Sequence, residues 1–282
     1  MPRTDLPDPP PGKRPLPPAA LVALGMDAPV FVEAGGVTRV EAPVGAVWVK
    51  TVQPPRKGLN DTILPVIGAL VPLAILRRDG AGKRGDTLLR QAARIRDLGA
   101  RGLPVAPLIH ADRDFLVTAD RGQTIEGAVR YSEVRERIGM DEAPLHAILL
   151  SMTHTLARLH GADTAHGRPK MRDFAWDGAA VTVLDLEEEP WTVMPMADAQ
   201  ARDVFLWIHD LCSAPLSREV APEAAAALAG PMAAPTRASL TRFLRLSGGV
   251  APAARLMLRA LPGNRELVAG IAAHRVLKDA LG

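Results

Sequence analysis

The sequence contains few cysteine and aromatic residues. A single cysteine, Cys212, excludes an internal disulfide and the paired spacing of a zinc knuckle, and favours a reducing compartment. Because aromatic residues make up only 4% of the chain, we expect a core of leucine, valine, isoleucine and alanine. Cys212 lies in an apolar run, where a small buried side chain is the simplest interpretation.

The chain also lacks a strong charge of either sign. Its 34 basic and 31 acidic residues leave a formal net charge of +3. Arginine outnumbers lysine, but together with abundant alanine, proline and glycine this indicates a G+C-rich genome more than the clustered basic patches of a nucleic-acid binder. We therefore expect no nucleic-acid partner.

Long hydrophobic runs are missing. The longest, Ile63 to Leu76, has 14 residues and is interrupted by Pro65 and Pro72, whereas a membrane-spanning helix needs about 20 apolar residues. Two interpretations stay open: a buried connector, or a peripheral contact of residues 63–78 with anionic lipid headgroups. With no secretory signal pattern either, we expect a cytoplasmic protein, the alternative being one attached to the inner membrane face.

The beginning of the chain is rich in proline, with eight prolines between Pro2 and Pro18. Such a composition favours polyproline II and buries little apolar surface. Residues 1–27 are therefore predicted to form a disordered tail.

Residues 28–122 are predicted to contain short antiparallel strands and one principal helix. Val47 and Val49 alternate with Lys50, which places the lysine on the opposite strand face, and a solvated lysine is the simplest interpretation. Two further strands are expected around an Asp-Arg-Asp turn. Helical spacing is shown by Leu88, Ala92, Ile95 and Leu98.

Residues 123–282 change to a mainly helical pattern, so the chain as a whole is predicted to be an α+β protein. One amphipathic stripe with helical spacing consists of Leu145, Ile148, Leu149, Met152, Leu156 and Leu159.

A short hairpin is predicted around Asp177-Gly178, a sequence that favours a type I′ turn. The hairpin would bring together Asp173, before the first strand, and Asp185, at the end of the second. Converging carboxylates raise each other's pKa unless a cation neutralises them, and oxygen ligands suit Mg²⁺. A surface hairpin whose aspartates cap turns is an equal alternative. The predicted strands are Phe174–Trp176 and Ala180–Leu184.

The order of these features resembles the protein-kinase-like superfamily, and within it a divergent member of the bacterial lipopolysaccharide (Kdo/heptose) kinase and RIO-like branch. The resemblance implies a two-lobed fold, with an N-lobe at 28–122, a C-lobe at 123–282, and ATP with Mg²⁺ between them. The superfamily's catalytic loop has His, any residue, Asp, four residues and Asn, followed by a metal-binding Asp after the next hairpin.

Five positions carry the resemblance. His166 matches the loop histidine, Asp173 stands where the asparagine belongs, and Asp185 stands at the second metal ligand. Lys50 matches the strand lysine that holds the α- and β-phosphates. Asp203 resembles the aspartate of the following helix that braces the catalytic loop.

The chain departs from the pattern in four features, one of which is Asp-Leu-Glu at 185–187 in place of Asp-Phe-Gly. Arg168 replaces the catalytic aspartate, and Gln91 stands where the glutamate partner of the lysine is expected. The phosphate-covering loop retains only Gly35 and Gly36.

Two functions follow from the resemblance. An active enzyme would transfer the γ-phosphate of ATP, with Arg168 neutralising charge and Asp173 or Glu187 accepting the proton. A pseudokinase would bind a nucleotide or a partner without turnover. Only 18 positions separate Asp185 from Asp203, too few for a peptide-binding activation segment, so the resemblance implies a small-molecule, sugar or lipid-linked acceptor.

Overall fold

The chain has mixed secondary structure, with small antiparallel sheets and many helices, as expected for an α+β protein. A computed structural model describes residues 9–52, 84–248 and 264–282. The described residues form two compact units: 9–52 with 84–121, and 122–248 with 264–282. None of the helices in these ranges has the length and apolar character needed to cross a membrane. The predicted peripheral segment, residues 63–78, lies outside the described residues.

The first unit contains a four-stranded antiparallel sheet of order β3-β4-β6-β5 and a separate β1-β2 pair. Helix α2 packs on β5 and β6, and α1 contacts β5. The elements of this unit are β1 (Lys13–Pro15), α1 (Pro18–Leu24), β2 (Phe31–Glu33), β3 (Val37–Ala42), β4 (Gly45–Thr51), α2 (Arg84–Ala100), β5 (Leu108–Ala111) and β6 (Phe115–Ala119).

Strand β4 has the predicted alternation. Val47 and Val49 are buried in an aliphatic core that also contains side chains of α1, β2, β3 and β6. Lys50 points to the other face and is half-buried, with Leu116 of β6 as its cross-strand neighbour. The four predicted apolar positions of α2 are all buried.

Residues 13–24 contain β1 and α1, which corrects the predicted disordered tail, residues 1–27, for this part; residues 1–8 of the tail lie outside the described residues. Their prolines occupy positions that tolerate a missing N–H, because Pro18 is the first residue of α1. Leu16, Ala20 and Leu24 are spaced four apart and bury against the sheet. The prediction relied on the high proline content and so overlooked the apolar spacing of these three residues.

The second unit is mainly helical, with one small hairpin. Helix α6 contacts α7, α8 and α9, while α5 packs against α7 and β8. All six predicted apolar side chains of α5 are buried, and Cys212 at the end of α6 is buried as expected. The elements are α3 (Glu126–Arg130), α4 (Ser132–Arg137), α5 (Glu142–Gly161), β7 (Phe174–Trp176), β8 (Val181–Val183), α6 (Met196–Cys212), α7 (Pro215–Ala229), α8 (Ala234–Gly248) and α9 (Arg265–Leu281).

The β7–β8 hairpin forms as predicted, but its turn is different. Trp176 pairs with Val181, which leaves a four-residue connection. The side-chain Oδ1 of Asp177 accepts hydrogen bonds from the N–H groups of Ala179 and Ala180, and Asp177 does not adopt the positive φ of a type I′ turn. The aspartate side chain stabilises a wider turn.

Candidate functional site

The irregular loop that follows α5 is fastened to one face of α6. The buried carboxylate of Asp203 accepts hydrogen bonds from the backbone N–H groups of His166 and Gly167, the latter at 2.9 Å. Asp210, two helical turns further on, accepts one from the N–H of Met171 at 2.8 Å. Side chains seven residues apart lie on the same face of a helix, so α6 holds both ends of this loop.

The contact of Asp203 is the one implied by the resemblance, whereas Asp210 was missed. Its signal was present in the sequence, because Asp203 and Asp210 stand seven residues apart on either side of a mainly apolar run, Val204 to His209. Asp210 also forms an ion pair with Arg130 of α3 at 2.9 Å.

The chain just before the loop is anchored by the same helix. The side-chain amide of Gln200 donates to the carbonyls of His160 and Thr164, both at 3.1 Å, and its oxygen accepts from Thr236 of α8 at 2.7 Å. The Nε2 atom of His160 lies 3.2 Å from the carboxylate of Asp203. A continuous set of buried polar contacts therefore fixes the path of the chain from α5 into the loop.

His166 is almost fully buried, with 3% of its surface exposed. Its ring packs at 5.8 Å from the ring of Phe174, which meets Trp207 edge-on at 5.3 Å. Trp207 in turn donates from its indole Nε1 to Thr153 of α5 at 2.9 Å. The predicted loop histidine is thus a core side chain that joins the loop to α5 and α6.

The structure brings Asp173 and Asp185 together. Leu184 donates its N–H to the carbonyl of Asp173 at 2.9 Å, which aligns the residue after β8 with the residue before β7. Both carboxylates line one small pocket that is open to solvent. The other residues that line this pocket are His166, Arg168, Arg172, Glu187 and Glu188.

Asp173 has an unusual protonation equilibrium. Burial, followed by the negative charge of Asp185, raises the pKa of Asp173 from 3.8 to about 7. Arg172, the backbone N–H of Lys170 and Arg168 act in the opposite direction. Burial and the charge of Asp185 therefore favour the protonated form of Asp173, and a bound cation would favour the ionised form.

The donor set fits Mg²⁺ better than a metal that needs a full protein cage. Two carboxylates supply hard oxygen ligands, and Mg²⁺ usually takes its remaining ligands from water and substrate phosphates. Among the residues that the structure describes, no group of three or more His, Cys, Asp or Glu side chains is arranged to hold a metal ion.

Arg168, which stands where the resemblance implies a catalytic aspartate, forms an ion pair with a nearby glutamate. Its Nε atom lies 3.0 Å from Oε1 of Glu188, and its side chain is 42% exposed. In the described part of the chain, the ion pair of Arg168 is formed with Glu188 and not with Asp173. The carboxylate of Asp173 instead accepts the N–H of Lys170 at 3.0 Å and lies 3.8 Å from Nε of Arg172.

The four residues predicted to bind nucleotide lie in the first unit. Gly35 and Gly36 form the turn between β2 and β3, and Val37, the next residue, pairs with Lys50. Gly35 adopts a positive φ of 74°, whereas Gly36 donates its N–H to the hydroxyl of Thr51 at 2.9 Å.

A phosphate would have to compete with Thr51 for that Gly36 N–H, a contact that the sequence did not reveal. Gln91 is buried in α2, with 3% of its surface exposed.

Comparison with known proteins adds little about function. No family model matches the chain. A Haemophilus influenzae protein described as an uncharacterized protein is 27% identical over 121 residues. The matched stretch covers 41% of this chain and 45% of that protein, so the chain spans less than half of the relative's length. This similarity does not establish a family.

Proposed function

We propose that the chain is a two-lobed, protein-kinase-like phosphotransferase that uses ATP and Mg²⁺. The observation that carries the proposal is the combination found in the second unit: Asp173 and Asp185 line one pocket, and Asp203 binds the backbone of the adjacent loop through two hydrogen bonds. The acceptor is proposed to be a small molecule, a sugar or a lipopolysaccharide-type compound.

In this proposal Asp173 and Asp185 hold Mg²⁺, which supplies charge neutralisation for the phosphates when it is bound. Asp203 and Asp210 keep the loop rigid, so that Asp173 does not move away when its pocket fills. His166 contributes packing and a backbone N–H, not direct proton transfer, because its ring is buried. The nucleotide roles of Lys50, Gly35, Gly36 and Gln91 rest on the sequence resemblance.

Arg168 determines which of two functions is proposed first. A pseudokinase would use this arginine to fill the metal or phosphate site. The ion pair between Arg168 and Glu188 favours the active enzyme, because it draws the guanidinium toward Glu188. Two observations favour the alternative, a nucleotide- or partner-binding regulator: no aspartate stands at position 168, and the N–H of Gly36 is already hydrogen-bonded.

Thermal unfolding with millimolar Mg·ATP tests the nucleotide site directly. Binding to the folded state stabilises it by RT ln(1 + [L]/Kd), so we expect a rise in Tm for the wild type. Asp185→Asn should reduce that rise, because one metal ligand is lost. Asp177→Asn, an exposed aspartate in the turn of the same hairpin, serves as the matched control.

Release of ADP from Mg·ATP separates the two functions. Turnover in the wild type that Asp185→Asn abolishes supports the phosphotransferase. A Tm rise without turnover supports the regulator. No change in Tm with Mg·ATP contradicts both.

A further inference from the structure

One carboxylate in the pocket binds two arginines. Oε1 of Glu188 lies 3.0 Å from Nε of Arg168, and Oε2 lies 2.8 Å from Nη2 of Arg202. Because each oxygen binds a different guanidinium, rotation of the carboxylate would break one of the two ion pairs. Glu188 is therefore held in a single orientation between a buried and an exposed arginine.

Arg202 fixes the buried side of this arrangement. Its side chain is only 10% exposed, and it precedes Asp203, whose carboxylate binds the loop backbone at His166 and Gly167. The position of Glu188 is thus set by the same helix, α6, that sets the position of the loop.

Backbone packing adds a second constraint on Glu188. Gly167 has a φ of +110°, and a Cβ atom placed there would lie 2.6 Å from the carbonyl oxygen of Glu188. Only glycine permits this approach, so the chain immediately before Arg168 lies directly against the residue that binds the arginine side chain.

Arg168 is the exposed member of the set. It lines the pocket with Asp173 and Asp185, and its charge lowers the pKa of Asp173. A guanidinium carries five N–H donors in a rigid fork, so an ion pair at Nε leaves terminal Nη donors for another oxyanion. The geometry suits a phosphoryl group bound at the same pocket as the cation.

We propose that Glu188, held by Arg202, positions Arg168 to bind the phosphoryl group during transfer; this inference rests on the proposed function. In the transfer, the acceptor oxygen forms a bond to the γ-phosphorus while the bond to the bridging oxygen breaks. The electron pair of the broken bond leaves on ADP, and the acceptor's proton leaves to solvent. Arg168 stabilises the negative charge on the equatorial oxygens, and Glu188 is a positioning residue that acts through Arg168.

The test compares Mg·ADP binding with and without fluoroaluminate, a mimic of the transferring phosphoryl group, by calorimetry on the full chain. In the wild type, fluoroaluminate should tighten the binding of Mg·ADP. Glu188→Gln and Arg168→Lys should each reduce this enhancement by about tenfold or more, the value of one charge-assisted hydrogen bond, with Mg·ADP binding within about twofold of wild type. A purely structural role would lower Tm without changing the ratio of the two affinities.

Two comparisons sharpen the test. If Glu188 acts only through Arg168, the double variant should show no further loss beyond Arg168→Lys. Glu223→Gln changes a surface carboxylate that is hydrogen-bonded to His146 and should keep the full enhancement. Arg168→Lys leaves the Glu188–Arg202 pair intact, so it provides a folded variant if Glu188→Gln proves unstable.

The possible failures can be told apart. A full fluoroaluminate enhancement in Glu188→Gln or in Arg168→Lys overturns the positioning role and leaves the proposed function standing. If the losses of the two single variants multiply in the double variant, Glu188 does not act through Arg168, and the positioning role is again overturned while the proposed function stands. A wild type that binds neither Mg·ATP nor Mg·ADP overturns the proposed function itself.

Discussion

Two aspartates, one in each unit, make similar hydrogen bonds in different surroundings. Asp112 accepts the N–H groups of Asp114 and Phe115 in the β5–β6 turn, both at 2.8 Å, and its side chain is 37% exposed. Asp203 accepts those of His166 and Gly167 but is fully buried. The first closes an ordinary surface turn, while the second holds an irregular loop inside the protein. The cost of losing each contact should therefore follow its burial more than its geometry.

The largest effect is expected for Asp203→Asn. An amide has only one acceptor oxygen and carries no charge, so the N–H groups of His166 and Gly167 can no longer each bind a separate carboxylate oxygen, and His160 loses a charged neighbour. We expect a loss of about 4 kcal/mol in the free energy of unfolding, measured by urea denaturation. Asp112→Asn, the matched change at the exposed turn, should cost about 1 kcal/mol. Equal losses at the two positions would contradict the role assigned to burial.

The second prediction concerns the free energy of unfolding, which should depend on pH through Asp173. Its pKa is about 7 in the folded protein and 3.8 in the reference state, so between these values the folded state holds a proton that the unfolded state has lost. The resulting stability is fully present below pH 3.8 and is lost as the pH rises through 7, amounting to about 4 kcal/mol.

Asp173→Asn should remove this dependence. In buffer with a chelator, the variant should be similar to wild type near pH 4 and more stable at pH 8. Urea unfolding at pH 4, 6 and 8 measures the difference, and the exposed Asp177→Asn should show no such trend. A difference that does not change with pH would contradict the raised pKa.

The third comparison uses two glycines with nearly equal φ. Gly167 in the second unit has a φ of +110° and is crowded by Glu188, whereas Gly45, the first residue of β4, has a φ of +106° and open space around it. Gly45→Ala should cost about 1 kcal/mol for backbone strain alone. Gly167→Ala should cost about 2 to 3 kcal/mol, because the new methyl group also meets the backbone. Thermal unfolding measures both, and equal costs would show that the close approach relaxes freely.

The smallest effects are expected for two threonines. Thr153 donates to the carbonyl of Leu149 and accepts the indole N–H of Trp207, all inside the second unit. Thr51 accepts the N–H of Gly36 and donates to the carbonyl of Glu33 in the first unit, and neither of these partner residues is buried. Replacement by valine keeps the shape and removes the hydroxyl, at a cost of about 2 kcal/mol for Thr153 and about 1 kcal/mol for Thr51. Urea denaturation of both variants tests the order, and a larger loss at Thr51 would reverse it.

Periodic apolar patterns predicted the regular elements well. Helix and strand periodicity can be recognised from the spacing of a few neighbouring residues. This spacing predicted the apolar stripes of α2 and α5 and the alternation around Lys50. Composition was a poorer guide, because the prolines before Pro18 hid the stripe of Leu16, Ala20 and Leu24. The turn at Asp177 also differed, since a side-chain hydrogen bond competed with the backbone preference of Asp-Gly.

The candidate site was predictable where one residue follows a pattern and unpredictable where two distant residues meet. The proximity of Asp173 and Asp185 follows from the hairpin between them. The ion pairs of Glu188 with Arg168 and Arg202 depend on how the loop, the strand exit and α6 pack. No local spacing encodes such a contact, and the same holds for the bond between Thr51 and Gly36.

Because side chains of α6 accept hydrogen bonds from the loop backbone, we expect the loop to unfold together with this helix. The amides of His166, Gly167 and Met171 are shielded donors, so they should exchange with deuterium as slowly as amides in the middle of α6, not at the rate of a surface connection. A stretch of chain outside the α-helices and β-strands would then expose its amides to solvent only when the second unit unfolds.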